Sequence, residues 1–299
     1  MKPIVGFVGI GNIGEPVCRK LLEGGYELLI YDVDTEALER LRDTSAEPVA
    51  SLDSLASRAD VVLLSLPNSN TVEEVVFGEG GLADGFSGGE TLIDTSSSEP
   101  SSTRSIAKRL AARGIEMLDA PVSGGVLRAR EGALAVMVGG KPEVYDRCRE
   151  ILQSFGDGIF YLGEPGTGHL VKALNNLLSA TTLASAAEAT LVAQKGGVAP
   201  EKFVEVINAG NGRSYSTEVK FPRYILNRAF DDGFALGLMS KDLKIALQAA
   251  AEMELPTPVG SALAQIWQLA MAHGYAEENH TAIYAFLEGL LGGGEDEKP

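Results

Sequence analysis

At 299 residues the chain is long enough for about two domains, and its 45% hydrophobic and 22% charged content is that of an ordinary globular protein. A formal net charge of −16 argues against nucleic acid and anionic membrane surfaces as partners, so an anionic ligand would need a local cluster of cations or backbone N–H groups. Cys18 and Cys148 lie far apart in helical patterns, with no histidine at metal-binding spacing, and read as buried small hydrophobes. No apolar run approaches the ~20 residues of a membrane span, and a first strand from Ile4 leaves no room for a signal peptide. A cytoplasmic location is expected.

Ile4–Val8 is a short apolar run of the kind that forms a buried strand. It runs into Gly9-Ile10-Gly11-Asn12-Ile13-Gly14 and then into the helical pattern Val17, Leu21, Leu22. A GxGxxG alone is weak evidence, but here it follows a strand and opens a helix, the context a dinucleotide-binding turn requires. Gly9 permits the tight turn, Gly11 lets the backbone approach a pyrophosphate, and Gly14 lets helix and strand pack closely. The helix N-terminus faces the negative charge, with Asn12 and Ile13 in the same turn.

The second strand, Glu27 to Tyr31, ends at Asp32, roughly 20 residues after the glycines, where a carboxylate can accept hydrogen bonds from an adenosine ribose. A 2′-phosphate there would meet both Asp32 and Asp34 with no arginine immediately following, so NAD is favoured over NADP. Asp34 itself suits the N-cap of a helix from Thr35.

Strands and helices continue to alternate. Ala59–Pro67 and Thr91–Ser96 read as strands running into loops, separated by a glycine-rich and acidic stretch, Gly78 to Gly89, read as a surface turn region. Ligands of open parallel sheets lie beyond the carboxyl ends of the strands, so Leu66, Pro67, Thr95 and Ser96 are expected to line the nicotinamide half of the cofactor. Pro100 opens a helix, and Ile115–Ala120 is a strand followed by Pro121-Val122-Ser123-Gly124-Gly125. A serine hydroxyl and two unshielded glycine N–H groups after a strand make a good seat for an anion. Arg128 and Arg130 follow; either could add charge for a carboxylate, although such side chains are more often solvated. Ala133–Gly140, a helix over Pro142–Gln153, and a last strand at Ile159–Leu162 complete the pattern.

From Thr167 to about Lys195 the sequence is continuously helix-compatible and rich in alanine and leucine, as a domain-spanning or subunit-packing helix would be. Helices are predicted beyond it at about 200–208, 215–227, 235–253, 257–272 and 279–290, with a frayed tail from Gly292. The fold class is therefore α/β: an N-terminal Rossmann-type doubly wound sheet over 1–164, and an all-α domain over 165–299, joined by a long interdomain helix. An apolar helical C-terminal domain suggests a homodimer or homotetramer.

Lys172 sits at this junction, with Gly168 and Asn176 four residues either side on the same helical face. Hydride transfer at a hydroxyl-bearing carbon needs a matched proton transfer at the oxygen, which a lysine can perform when burial or neighbouring positive charge tunes it toward neutrality. Asn176, one turn on, suits a hydrogen bond to the substrate oxygen. His169 is read as a packing or supporting group.

Four blocks together resemble the β-hydroxyacid dehydrogenase family, whose members include 3-hydroxyisobutyrate dehydrogenase and tartronate semialdehyde reductase. They are Gly6–Gly14, Asp119–Gly125, Gly166–Asn176 and Lys241-Asp242-Leu243, in the family's order over nearly the whole chain. The resemblance implies Lys172 as general acid/base and Ser123, Gly124, Gly125 and Asn176 as substrate-holding residues. It also implies Lys241 on the cofactor side. The chain departs from the family pattern at Ile13, at Val126–Glu131, which lacks a common glycine-alanine pair, and at Tyr215, where tryptophan is frequent. The last two bear on which substrate is taken.

The reaction implied is interconversion of a small 3-hydroxy acid and its semialdehyde with NAD. Reduction of tartronate semialdehyde, succinic semialdehyde or a sulfonated short-chain aldehyde is the nearest alternative. A non-catalytic dinucleotide sensor would have no reason to keep Lys172, Asn176 and Ser123 together. Related imine reductases generally lack the lysine.

Overall fold

The computed structural model describes residues 2–292. The chain forms two compact units, one running to Lys172 and one from Ala173 onward. Most of the tail expected to fray, residues 293–299, lies outside the described residues.

The first unit is built on nine strands: β1 (Val5–Val8), β2 (Leu28–Tyr31), β3 (Glu47–Pro48), β4 (Val61–Leu64), β5 (Thr91–Asp94), β6 (Glu116–Asp119), β7 (Val122–Ser123), β8 (Leu134–Gly140) and β9 (Gly156–Gly163). Their order is β3-β2-β1-β4-β5-β6-β8-β7, with β9 on β8. Pairing is parallel from β3 through to β6, and β8 runs antiparallel to both β6 and β7.

The central strands read as unbroken apolar runs because both faces are covered. Alternate residues feed two separate cores: Val5, Phe7, Leu28, Ile30 and Leu63 pack into one, and Val8, Leu29, Val62 and Leu64 into the other. Cys18 and Cys148 are free thiols buried in the first of these cores. Burial pushes the Cys148 thiol up to about 11 and raises Cys18 well above its ordinary value, so both serve packing.

Three elements differ from the sequence reading. Gly78–Gly89 is not wholly a surface turn: it contains a short helix, Leu82–Gly85, whose Leu82 and Ala83 are buried against Val76 and Leu55 in the second core. Val122–Ser123 is a strand paired to Val136 and Ala135, and the segment after it forms a helix, Gly125–Glu131. The sheet is also not entirely parallel, since β8 enters in reverse.

The second unit is helical: Pro200–Ala209, Ser216–Ile225, Leu236–Glu252, Pro258–Ala272 and Ile283–Gly292, with the remainder of the helix Thr167–Lys195. Its core surrounds Trp267, Phe221, Leu236 and Ile283, all fully buried. The segment expected as an α-helix over 215–227 is instead a π-helix, Ser216–Ile225, with Pro222 inside it. Proline lacks the N–H an α-turn needs and its ring crowds the carbonyl four residues back, so the wider winding relieves both. Among the described residues no helix is long and apolar enough to cross a membrane.

Candidate active site

The glycine-rich turn follows from steric limits at three positions. Gly9 has φ of +98°, and a Cβ there would fall 2.3 Å from the Ser65 carbonyl oxygen. A Cβ on Gly14 would fall 2.0 Å from the Gly9 carbonyl oxygen, so the helix Gly14–Glu23 closes directly on the strand end. At Gly11 nothing lies within 4 Å of the Cβ position, and the residue is exposed with Asn12. The helix N-cap, Ile13, supplies no side-chain cap. An open backbone at Gly11 beside an uncapped helix N-terminus fits a pyrophosphate.

Asp32 stands at the end of β2. Its Oδ2 accepts from the Ile10 N–H at 2.6 Å and its Oδ1 from the Asp34 N–H at 2.9 Å, which pins the carboxylate against the turn. Asp34 takes the N-cap position, accepting from the Glu36 N–H at 2.9 Å. At the neighbouring strand ends, the Ser96 hydroxyl oxygen accepts from the Leu66 N–H at 2.9 Å and the Thr95 hydroxyl donates to the Leu64 carbonyl at 2.6 Å. Leu66, Thr95 and Ser96 are thus brought together, with Thr95 and Ser96 buried and Pro67 exposed.

Beyond β6, Ser123 is held by its ladder with Ala135, and Gly124 and Gly125 follow with φ of +137° and +71°. Both glycines are exposed. Arg128 is drawn elsewhere: its Nε donates to the Ala133 carbonyl at 2.6 Å and its guanidinium pairs with Asp157 at 3.1 Å. Tyr215 is 63% exposed at the start of the π-helix.

A buried polar cluster that the sequence reading did not assemble underlies the strand ends. The Asp119 carboxylate, fully buried, accepts from Gly166 N–H at 2.7 Å and His169 N–H at 3.0 Å. It thereby caps the first turn of the helix Thr167–Lys195 from across the sheet. Gly168 is required there, since its Cβ would lie 2.3 Å from the Met137 carbonyl oxygen and 2.8 Å from Asp119 Oδ2. The sign available in sequence was an aspartate ending each of two apolar strands, Asp94 and Asp119.

Lys172 lies half-buried in the second turn of this helix. Four residues on, the buried Asn176 donates from Nδ2 to Asp242 Oδ2 at 2.5 Å, and its Oδ1 accepts from Asn175 Nδ2 at 3.1 Å. Lys241 Nζ lies 3.3 Å from the other Asp242 oxygen.

A Rossmann-type sheet with a glycine-rich first turn, paired with a helical unit, defines a dinucleotide-dependent oxidoreductase class. The family described as the NAD binding domain of 6-phosphogluconate dehydrogenase matches residues 4–163. That described as NAD-binding of NADP-dependent 3-hydroxyisobutyrate dehydrogenase matches residues 166–287. The chain is 35% identical to 2-(hydroxymethyl)glutarate dehydrogenase of Eubacterium barkeri, over 96% of each chain. It is 34% identical to mitochondrial 3-hydroxyisobutyrate dehydrogenase of Bos taurus, over 96% of this chain and 87% of that one. The structure of Mycobacterium tuberculosis 3-hydroxyisobutyrate dehydrogenase with L-serine superposes with a TM-score of 0.89 at 29% identity, covering 96% of this chain and 99% of that one. The chain belongs to the β-hydroxyacid dehydrogenase family and is an NAD(P)-dependent hydroxyacid dehydrogenase.

Proposed function

We propose that this dehydrogenase oxidises a small 3-hydroxy acid of the 3-hydroxyisobutyrate type to its semialdehyde, with NAD as the preferred cofactor and Lys172 as general acid/base. The observation that carries the reading is Lys172 one helical turn before Asn176, whose amide orientation is fixed by Asp242. Bound nicotinamide supplies the hydride acceptor. Lys172 Nζ, as the free amine, takes the hydroxyl proton as the carbonyl forms. Asn176 orients that oxygen, and the Ser123 hydroxyl with the Gly124 and Gly125 N–H groups donates to the carboxylate.

The choice of substrate class is supported by what two relatives' names share. 3-Hydroxyisobutyrate and 2-(hydroxymethyl)glutarate both carry a hydroxymethyl group on the carbon that bears the carboxylate. They differ in the third substituent, a methyl group in one and a carboxyethyl arm in the other. The cofactor preference is argued from Asp32 and Asp34, two carboxylates beside the ribose position that would repel a 2′-phosphate. Gly9, Gly11, Asn12, Ile13 and Gly14 would hold the pyrophosphate, with Leu66, Pro67, Thr95, Ser96 and Lys241 on the nicotinamide side. A homodimer or homotetramer is consistent with the exposed apolar side chains of the long helix, Leu178 at 66% and Val192 at 71%.

The test is a panel read by NADH absorbance: 3-hydroxyisobutyrate, 2-(hydroxymethyl)glutarate, and tartronate, succinic and sulfonated semialdehydes, each with both cofactors. 3-Hydroxyisobutyrate with NAD should give the highest kcat/KM, about tenfold or more above NADP. Faster turnover of 2-(hydroxymethyl)glutarate would move the assignment to a dicarboxylate. A semialdehyde outside the 3-hydroxy-acid set, or an NADP preference, would overturn the corresponding part.

A further inference from the structure

We propose that His169 is a positioning residue for Lys172, acting through Thr103 and Ser96; the assignment rests on Lys172 being the general acid/base. His169 is 1% exposed and lies three residues before Lys172, on the first turn of the same helix. Its Nδ1 is 2.7 Å from the Thr103 hydroxyl and its Nε2 is 3.1 Å from the Ser96 carbonyl oxygen. Asp94 Oδ2 lies 3.7 Å from Nε2, and Asp119 Oδ2 lies 3.9 Å from Nδ1. The main chain at the same residue is held as well, through the His169 N–H on Asp119.

Packing alone does not account for this arrangement. An apolar side chain would fill the same space without a polar ring to satisfy, whereas a buried imidazole stripped of a partner is left with an uncompensated desolvation cost. Both ring nitrogens have partners, and those partners lie on different segments. Thr103 is on the helix Pro100–Ala111, Ser96 is in the loop after β5, and Asp119 ends β6.

The consequence concerns registration. Helix termini begin with N–H groups that have no partner within the helix, and the first turn is where a helix frays. Here that turn is fixed from the main chain by Asp119 and from the side chain by His169. Ser96 is also bonded through its hydroxyl to the Leu66 N–H, so one imidazole joins the loop assigned to the nicotinamide to the helix that carries the acid/base. Reacting groups must meet within a few tenths of an ångström, and a displacement of about 1 Å can lower turnover about 100-fold.

The experiment uses the full-length enzyme with NAD and whichever panel compound it turns over fastest. Thr103→Val keeps the shape and removes the hydroxyl, Thr103→Ser restores it, and His169→Phe keeps the site filled while removing both ring nitrogens. Positioning predicts that Thr103→Val lowers kcat by about 10- to 100-fold with KM altered less than about threefold. NADH affinity, read by cofactor fluorescence, should stay within about twofold. Thr103→Ser should return kcat to within about threefold of the parent, and His169→Phe should lose at least as much as Thr103→Val.

A folded Thr103→Val with parental kcat, or a loss confined to KM, overturns the proposal, and the threonine pair decides it even where His169→Phe does not fold. Lys172→Ala is measured alongside. Unchanged turnover in that variant refutes the acid/base assignment itself, whereas lost turnover with a normal Thr103→Val refutes only the positioning role.

Discussion

The Asn176 amide and the Asp242 carboxylate are joined by a 2.5 Å hydrogen bond across 66 residues of sequence. A carboxylate only accepts, so the amide nitrogen must face Asp242 and the amide oxygen must face the other way. Asp242 is 1% exposed, and its second oxygen meets Lys241 Nζ at 3.3 Å without the geometry of a hydrogen bond. The acidic residue of the Lys241-Asp242-Leu243 block thus sets the orientation of the Asn176 amide.

Asp242→Asn removes both the charge and the constraint on amide direction. Charge-assisted hydrogen bonds contribute about 1.5–3 kcal/mol. Urea unfolding of the variant should therefore show a stability loss of that order, with kcat/KM reduced as well. Parental stability and parental kinetics together would show that Asn176 is oriented by something else.

The glycine-rich turn separates folding from cofactor binding. Gly14→Ala should destabilise the fold, because its Cβ would lie 2.0 Å from a backbone oxygen. Gly11→Ala meets nothing within 4 Å, so its melting temperature should match the parent while its NADH dissociation constant rises about tenfold or more. Unchanged affinity in Gly11→Ala would place the pyrophosphate away from this residue.

Much of this arrangement was legible in sequence, and each exception has a physical cause. β1, β2, β4, β5 and β6 stand out as apolar runs because helices cover both faces of their sheet, and each is shorter than its run, most of all β4. The helix Thr167–Lys195 is legible because nothing in its 29 residues interrupts it. The reversal of β8 is not, since side-chain alternation carries no direction. The helix at Leu82–Gly85 was hidden by the glycines around it. Asp119 reads as the polar end of a strand, and its role depends on N–H groups 47 and 50 residues away, a pairing that spacing does not encode. Arg128 looked available for a ligand only until Asp157, 29 residues on, was folded beside it.

A buried histidine in the second unit should shape stability at mildly acidic pH. His280 Nδ1 faces the Phe234 carbonyl at 3.1 Å and Asp232 at 3.2 Å, while its buried Nε2 has no hydrogen-bond partner among the described residues. Burial lowers its pKa below the ordinary histidine value, aided by the Lys220 charge and against the opposing pull of Asp232. Below about pH 6.5 the unfolded chain takes up this proton and the folded chain does not. Stability from this group is therefore full above about 6.5 and declines as pH falls, by up to about 1.4 kcal/mol per pH unit until folded His280 protonates.

Asp232 titrates in a lower window. Although burial would raise it, hydrogen bonds from His280 and Asn279 hold its carboxyl below the usual range. Urea unfolding between pH 5 and pH 7 should show a shallower slope in His280→Phe than in the parent. Equal slopes would remove His280 as the source.

In the proposed mechanism Lys172 moves the proton. Single-turnover and steady-state rates for Lys172→Ala, measured beside its NADH affinity, test this directly. Turnover should fall by about 10³-fold or more, within the range of general acid–base catalysis, while NADH binding stays within about threefold. Turnover within about tenfold of the parent, in a variant that still binds NADH, would contradict it.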